Sequence, residues 1–230
     1  MILCCGEALI DMIPETMSSG AEGFVPHSGG AIFNTAIALG RLGTKTGFLT
    51  GLSTDLFGEQ LAGDLRASGV DASFAIRADL PTTLAFVRLT DGHATYTFYD
   101  ENTAGRQLEP GDIPALPDHV SALYLGGISL ISEPCAGFYA ELAVREAATR
   151  AIVVDPNIRP GFIRDDARYR ARLNRMIAVT DILKVSDEDL HWIVPGKADL
   201  AGKAATLLGQ GPEILILTRG SAGASAYRKS

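Results

Sequence analysis

The sequence predicts an α/β fold in which helices cover a largely parallel sheet. The main observation is that apolar, strand-like runs alternate with segments of helical spacing along most of the 230 residues. This alternation is typical of parallel sheets, because their strands are connected through crossing helices. A stretch of antiparallel ribbon interrupts the alternation and predicts a second, smaller β layer.

The first half of the chain contains both kinds of layer. An apolar run over residues 1–10 predicts a buried strand, and helical spacing over 31–42 predicts a helix that stops at Gly43. A hairpin is predicted where Asp91-Gly92 joins two runs rich in Thr, Val, Phe and Tyr. The other predictions here are strands at 45–52, 83–90 and 93–99, a further strand of the small layer at 20–27, and a helix at 57–67.

The alternation resumes after residue 120. Short apolar runs predict the strands, and segments of helical spacing follow most of them. In such units, functional groups gather at the carboxyl ends of the strands. The predicted strands are 122–125, 151–155, 182–185, 212–218 and 224–228, and the predicted helices are 134–150, 166–179, 187–194 and 200–208.

Composition excludes several classes of protein. The apolar fraction of 47% supports a sizeable core, and the net charge of −7 leaves no basic surplus for binding nucleic acid or an acidic membrane. No apolar run reaches the length of a membrane span, and Met1 is followed by no positively charged leader. Three cysteines without regular spacing predict free thiols. We therefore expect a cytoplasmic protein without a nucleic-acid or membrane partner.

Polar groups follow the first predicted strands, where open α/β sheets bind ligands. Asp11 follows the first strand and could accept two hydroxyl hydrogen bonds. Gly29 and Gly30 precede a helix and let a ligand approach the backbone, while Asn34 offers a donor and an acceptor from the first turn. A solvated loop aspartate and a capped tight turn are the alternative interpretations.

Later segments combine polar groups in a similar way. Asp155, Asn157 and Arg159 follow an apolar strand, and the guanidinium of Arg159 could pair with phosphate oxygens. Ser186 and Asp189 begin a helix, where they could cap it or hold waters around Mg²⁺. A third segment contains Thr218, Gly220 and Gly223, and its backbone N–H groups could wrap phosphates. Simple turns are the alternative interpretation of this segment and of the segment that begins at Asp155.

In this order, the segments resemble the ribokinase-like, or phosphofructokinase-B type, family of carbohydrate kinases. The run 29–36 (GGAIFNTA), continued by 39–43 (LGRLG), resembles the first signature of the family. Residues 6–11 (GEALID) resemble its opening strand and sugar-binding aspartate. Three later segments agree in the order of the family: 155–160 (DPNIRP), 184–188 (KVSDE) and 218–223 (TRGSAG).

The resemblance implies a doubly wound sheet in a single domain over residues 1–230, with a small β lid formed by segments 12–28 and 83–106. It implies that the γ-phosphoryl group of ATP is transferred to a sugar hydroxyl with the help of Mg²⁺, and it leaves dependence on a monovalent cation open. Lids of this kind often pair between two subunits, so we expect a homodimer.

The resemblance also assigns roles to the candidate residues. Arg159 is expected to face the phosphoryl-transfer region, and Asp189 is expected to serve the metal ion, although many relatives have Glu at this position. The expected sugar-binding residues are Asp11, Gly29, Gly30, Asn34, Tyr99, Arg106, Asp155, Asn157 and Arg159. The expected nucleotide-binding residues are Ser186, Thr218, Gly220 and Gly223.

One part of the family's machinery is missing from the sequence. The second signature of the family, an Asp-Thr-x-Gly-Ala-Gly-Asp segment, supplies an anion hole and the aspartate that takes the hydroxyl proton. Nothing from Ser221 to Ser230 matches it. We therefore expect the C-terminal part of the fold to be absent, because the chain is either a fragment or a shortened gene product. The second case predicts a paralogue that binds sugar or nucleotide without catalysis.

Within the family, the segment 126–130 (GGISL), followed by Glu133-Pro134-Cys135, most resembles fructokinases. Fructose is therefore the favoured substrate. The alternative is 2-keto-3-deoxygluconate kinase, whose members share the opening GEALID and the arginine after Asp-Pro-Asn. Arg106 could supply the extra cation that a carboxylated substrate needs.

Overall fold

The computed structural model of the protein describes residues 1–90 and 93–229. Strands and α-helices alternate as the sequence predicts. The strands are β1 (Ile2–Cys5), β2 (Leu9–Thr16), β3 (Glu22–Gly29), β4 (Thr46–Leu49), β5 (Gly51–Ser53), β6 (Val70–Asp71), β7 (Ile76–Ala78), β8 (Leu84–Thr90), β9 (His93–Tyr99), β10 (Ala122–Gly126), β11 (Ala151–Asp155), β12 (Ile182–Ser186), β13 (Ile214–Thr218) and β14 (Ala224–Arg228). The helices are α1 (Ala31–Arg41), α2 (Leu56–Ala67), α3 (Cys135–Glu146), α4 (Asp166–Ile177), α5 (Asp187–Ile193) and α6 (Leu200–Leu208).

The main sheet has eight strands in the order β14-β13-β12-β11-β10-β1-β4-β6. All neighbouring pairs are parallel except β13 and β14, which are antiparallel. The first strand of the chain lies inside the sheet, between β10 and β4. Later strands therefore extend the sheet on both sides of β1, and the predicted mostly parallel sheet is confirmed.

Helices cover both faces of this sheet, as a doubly wound fold requires. Side chains alternate between the faces, so Leu3 and Cys5 join one core cluster while Cys4 joins the other. The first cluster includes buried residues of α3, α4 and α6, and the second includes buried residues of α1 and α2. None of the helices in the described ranges is long and apolar enough to cross a membrane.

A second sheet has four strands in the order β3-β2-β8-β9. It contains the strand predicted near 20–27 and the two strands of the predicted hairpin. The turn at Asp91-Gly92 lies outside the described residues. Strand β2 pairs antiparallel with β3 and parallel with β8, so the two sequence-distant segments form one layer. We call this layer the lid sheet.

Two predicted strands are wrong as single elements. The run 1–10 is divided between the main sheet and the lid sheet, because the chain turns at Gly6, where an added Cβ would lie 2.5 Å from Ile32. The run 45–52 is divided between β4 and β5, which belong to different sheets. The helix predicted over 134–150 is also shorter, since α3 ends at Glu146.

The core predicts a contrast between two leucine truncations. Leu183 in β12 is fully buried, whereas Leu56 at the start of α2 is 80% exposed. We expect Leu183→Ala to lower the free energy of unfolding by about 2–5 kcal/mol, because it removes buried methyl groups and leaves a cavity. Leu56→Ala should change it by less than about 0.5 kcal/mol. Urea denaturation measures both, and equal effects would contradict the burial of β12.

Candidate active site

The register of the parallel strands brings the predicted site residues to one edge of the main sheet. Gly126 at the end of β10 pairs with Asp155 at the end of β11. Ser186 at the end of β12 pairs with Thr218 at the end of β13. Loops that follow these strands therefore meet at the carboxyl edge, where open α/β sheets bind their ligands.

Asp11 lies in the lid sheet beside the entrance to α1. It is half-buried in β2, and its carboxylate approaches Gly29 so closely that a Cβ there would lie 2.1 Å from Oδ2. Burial raises the pKa of Asp11, and His27, which is opposite Asp11 in β3, lowers it in part. Gly29 therefore leaves room for the carboxylate that the sequence assigns to sugar binding.

Gly30 and Asn34 shape the first turn of α1. Gly30 caps the helix with φ of 107°, in a region that favours glycine, and an added Cβ would lie 2.9 Å from the carbonyl oxygen of Glu7. The N–H of Asn34 donates to the carbonyl of Gly30 at 2.9 Å, while its side chain is exposed. The structure thus brings Asp11, Gly29, Gly30 and the turn that carries Asn34 into one region.

Tyr99 is not brought to that region. Asp11 pairs with Ala85, which pairs with Phe98, so these three residues share one face of the lid sheet. Tyr99 is the next residue, points to the opposite face because side chains alternate along a strand, and is 60% exposed. Its placement does not support the predicted contact with the sugar. Phe98 and Tyr96 are aromatic residues on the face of Asp11, and Phe98 is the one level with Asp11 across Ala85.

Arg106 is near the predicted cleft but is already paired. Its guanidinium lies 2.9 Å from the Asp100 carboxylate and donates to the carbonyl of Glu133 at 2.9 Å. Arg106, Asp100 and Phe98 line a cavity of about 460 Å³ that extends toward α4. The positive charge of Arg106 is therefore balanced within the protein.

Asp155 forms a buried polar cluster at the end of β11. It is 7% exposed, its Oδ2 lies 3.0 Å from Nζ of Lys184, and the hydroxyl of Tyr124 donates to the same oxygen at 3.2 Å. Its Oδ1 has no hydrogen-bond partner among the described residues. Burial raises the pKa of Asp155, and the ammonium of Lys184 opposes this effect.

The loop after Asp155 places Asn157 and Arg159 close to the surface. Asn157 has φ of 43°, a left-handed conformation that asparagine tolerates better than most residues. Arg159 is exposed, and its guanidinium donates to the carbonyls of Asn157 and Ile158 at 3.3 and 3.1 Å. These bonds curl the side chain over its own loop and leave other guanidinium N–H groups for a ligand.

Ser186 and Asp189 form a capping box at the start of α5. The hydroxyl of Ser186 accepts the N–H of Asp189 at 3.0 Å, and Oδ2 of Asp189 accepts the N–H of Ser186 at 3.1 Å. The other carboxylate oxygen, Oδ1, accepts the N–H of Ile158 at 2.9 Å. Asp189 is thus buried and fixes the Arg159 loop to α5, which is a structural role the sequence did not suggest.

A metal ion near α5 would have to be held mainly by water and phosphate, because both carboxylate oxygens of Asp189 already accept backbone N–H groups. The described residues contain no cluster of three or more His, Cys, Asp or Glu side chains that could hold a metal ion. Mg²⁺ usually takes one or two carboxylates and fills its other positions with water and substrate phosphates. Asp187 and Glu188 lie in the first turn of α5 beside Asp189.

The turn after β13 has the backbone shape expected of a phosphate-binding loop. Gly220 and Gly223 have φ of 50° and 82°, and no atom lies within 4 Å of an added Cβ at either position. Glycine is therefore favoured by backbone conformation and not by crowding. The hydroxyl of Thr218 donates to the carbonyl of Val185 at 3.4 Å, beside Ser186.

All 230 residues match the family model described as pfkB family carbohydrate kinase. The chain belongs to this family. The predicted family and the predicted carbohydrate kinase class are therefore confirmed.

Curated relatives and solved structures of pfkB-family kinases agree with this assignment. A fructokinase of Rhizobium leguminosarum bv. trifolii is 53% identical over 230 residues, which cover all of this chain and 70% of that protein. A probable fructokinase-3 of Arabidopsis thaliana is 33% identical over 237 residues, with coverage of 100% and 68%. The crystal structure of fructokinase from Xylella fastidiosa with bound ATP has a TM-score of 0.89 at 27% identity, with coverage of 99% and 74%.

Sequence reasoning missed four residues that the structure places beside the predicted ones. Glu7 and Lys184 lie inside the recognised segments but received no role. The available signal was a charged residue next to a glycine for Glu7 and a charged residue within an apolar strand for Lys184. Phe98 could have been found from strand alternation. Tyr124 gives no signal, since an aromatic residue in an apolar strand is ordinary core composition.

The Asp155 cluster predicts a pH-dependent loss of stability in Lys184→Met. This change leaves a buried carboxylate without its cation, and we expect the free energy of unfolding near pH 8 to fall by about 2–3 kcal/mol. The expected loss is modest because the side chain of Lys184 is 32% exposed, so solvent screens its charge. The loss should shrink toward pH 5, because the raised pKa of Asp155 makes the folded state take up a proton before the unfolded state does.

Urea denaturation at both pH values measures this effect. Lys229→Met is the matched control, since Lys229 lies 4.0 Å from Glu213 in an exposed pair. The control should change the free energy of unfolding by less than about 0.5 kcal/mol. A loss in Lys184→Met that is the same at both pH values would contradict the proposed titration of Asp155.

Proposed function

We propose that this protein is an ATP-dependent fructokinase. The observation that carries the proposal is the 53% identity to the Rhizobium leguminosarum fructokinase along the whole chain. ATP as the phosphoryl donor is supported by the likeness to the ATP-bound Xylella fastidiosa fructokinase. Phosphoryl transfer depends mainly on alignment and charge neutralisation, and the loops at the carboxyl edge offer groups for both.

In the proposed arrangement, sugar and nucleotide bind on different parts of the carboxyl edge. Asp11, Gly30 and Asn34 hold the sugar hydroxyls, and Arg159 faces the phosphoryl group. The nucleotide is bound by Ser186 and by the turn after β13. Mg²⁺, held mainly by phosphate oxygens and water, would neutralise the phosphate charge beside Asp189.

The ion pair between Arg106 and Asp100 favours a neutral sugar over a carboxylated one as the substrate. Arg106 was the residue that could have served 2-keto-3-deoxygluconate, but Asp100 neutralises it at 2.9 Å. A carboxylate ligand would have to displace Asp100 from a pair whose side chains are only about one-fifth exposed. Fructose requires no such exchange.

None of the recognised segments of this chain supplies the catalytic base. The proposed turnover requires a base such as the aspartate of the family's Gly-Ala-Gly-Asp segment. The alternative, a paralogue that binds without catalysis, predicts a reading frame without this segment.

Three buried free thiols favour the cytoplasm as the compartment of the protein.

A coupled ADP-release assay with ATP and Mg²⁺ tests the proposed function. We expect turnover with fructose and little with 2-keto-3-deoxygluconate. Asp11→Asn should raise the KM for fructose by about 10- to 100-fold, because it weakens a charged hydrogen-bond acceptor, and should leave the KM for ATP unchanged. Asp118→Asn, at an exposed position beyond the opposite end of β10, is the control.

The outcomes of this assay separate the alternatives. Turnover with the keto acid alone would keep the family and replace the substrate. The absence of turnover with every sugar, in a product of verified length, would support the non-catalytic paralogue. An Asp11→Asn variant with the KM of the wild type would contradict the role of Asp11.

We also propose that two copies pair through the lid sheet. Phe24, Phe86 and Tyr99 form a row on the face opposite Asp11, with ring centroids 5.0 and 5.5 Å apart. Phe24 and Tyr99 are 48% and 60% exposed, which is unusual for neighbouring aromatic residues. A second copy of the lid sheet would cover this row.

Light scattering after size-exclusion chromatography tests the pairing. We expect the wild type to be a dimer at micromolar concentration and Phe24→Ser to be a monomer, since it removes a large exposed aromatic side chain from the row. Leu56→Ser, which changes an even more exposed apolar residue, in α2, should remain a dimer. A monomeric wild type would contradict the proposal.

A further inference from the structure

Glu7 is a buried carboxylate at the junction of three segments. It lies between β1 and β2, is 8% exposed, and has no role in the assignments above. Its Oε1 accepts the N–H of Ala31 at 2.9 Å, in the first turn of α1. Its Oε2 accepts the N–H of Ser129 at 3.4 Å, in the turn after β10.

Both segments are shaped to admit this side chain. An added Cβ at Gly30 would lie 3.1 Å from Cγ of Glu7, and one at Gly127 would lie 2.2 Å from Oε1. The φ angles of Gly30 and Gly127 are 107° and 71°, so both backbones also adopt conformations that favour glycine. Two glycine-dependent turns therefore close around one carboxylate.

We propose that Glu7 is a positioning residue for the sugar site, because its carboxylate fixes the first turn of α1, with Gly30 and Asn34, against the turn formed by residues 127–130. Glu7 acts through these backbone groups and does not need to touch the sugar. The proposal deepens the proposed function and rests on it for the identity of the sugar.

The helix favours the ionised form of Glu7, and burial opposes it. Burial raises the pKa of Glu7 to about 7, although the N–H groups of Ser129 and Ala31 lower it in part. The charged and titratable groups that face it are Cys135 and Tyr139 of α3, together with Asp100 and Arg106 of the neighbouring loop. Of these, only Arg106 carries a positive charge, and Asp100 already pairs with it.

Protonation of Glu7 is expected to make the KM for fructose depend on pH in one direction. Above pH 7 the ionised carboxylate accepts both N–H bonds. When the pH falls below the pKa, one oxygen gains a proton, and the bond from Ala31 or Ser129 weakens. We therefore expect the KM for fructose to rise as the pH falls from about 8 to 6, while the KM for ATP stays constant.

Glu7→Gln tests the proposal with little change of shape. The amide has one acceptor oxygen, and its NH₂ group faces one of the two backbone N–H donors. We expect the KM for fructose to rise by about tenfold, as the loss of one hydrogen bond to a buried charge predicts, and to lose its dependence on pH between 6 and 8. Glu213→Gln, at an exposed position before β13, is the matched control.

A second measurement needs no variant and no substrate. In isotopically labelled wild-type protein, the amide resonances of Ala31 and Ser129 should titrate together with a midpoint near pH 7. Constant resonances from pH 6 to 8, or a Glu7→Gln variant that is less stable but keeps the wild-type KM and pH profile, would overturn the proposal. If the wild type phosphorylates no fructose while both amides titrate, the proposed function fails and the positioning role stands.

Discussion

The register of the central parallel strands is the constraint on which the rest of the structure depends. Gly126 is level with Asp155, and Ser186 is level with Thr218, so the loops after four different strands open at one edge. A slip by one residue would exchange the two faces of a strand and turn its buried side chains away from their cluster. Core packing therefore fixes the register, and the register fixes the site.

Three buried carboxylates then join the loops at that edge, each by a different interaction. Asp155 is paired with the ammonium of Lys184, Asp189 accepts two backbone N–H groups across α5 and the Arg159 loop, and Glu7 accepts two across α1 and the 127–130 turn. A buried carboxylate is costly unless such partners satisfy it. Each of these groups therefore restricts the position of a loop more strongly than an apolar side chain would.

The sequence was sufficient for the fold class, most elements and the region of the site, because these follow from apolar periodicity, glycine positions and the order of the recognised segments. It was insufficient where contacts between residues far apart in the sequence determine the position of a side chain or the end of a strand. The two-sheet division of residues 1–10 occurs at Gly6, where Ile32 leaves no room for a Cβ, and the face on which Tyr99 lies depends on the register between β8 and β9. The neutralisation of Arg106 by Asp100 and the double acceptor role of Asp189 likewise require groups that sequence spacing does not place together.

A structure of the protein with fructose and a non-hydrolysable ATP analogue tests the central claim most directly, which is that the carboxyl edge of the main sheet and the lid sheet bind the sugar between them. The account predicts that fructose hydroxyls bind the carboxylate of Asp11 and the side chain of Asn34 over Gly30, with the terminal phosphate beside Arg159. Fructose bound on the opposite face of the lid sheet, or in the cavity near α4 without contact to Asp11, would contradict it.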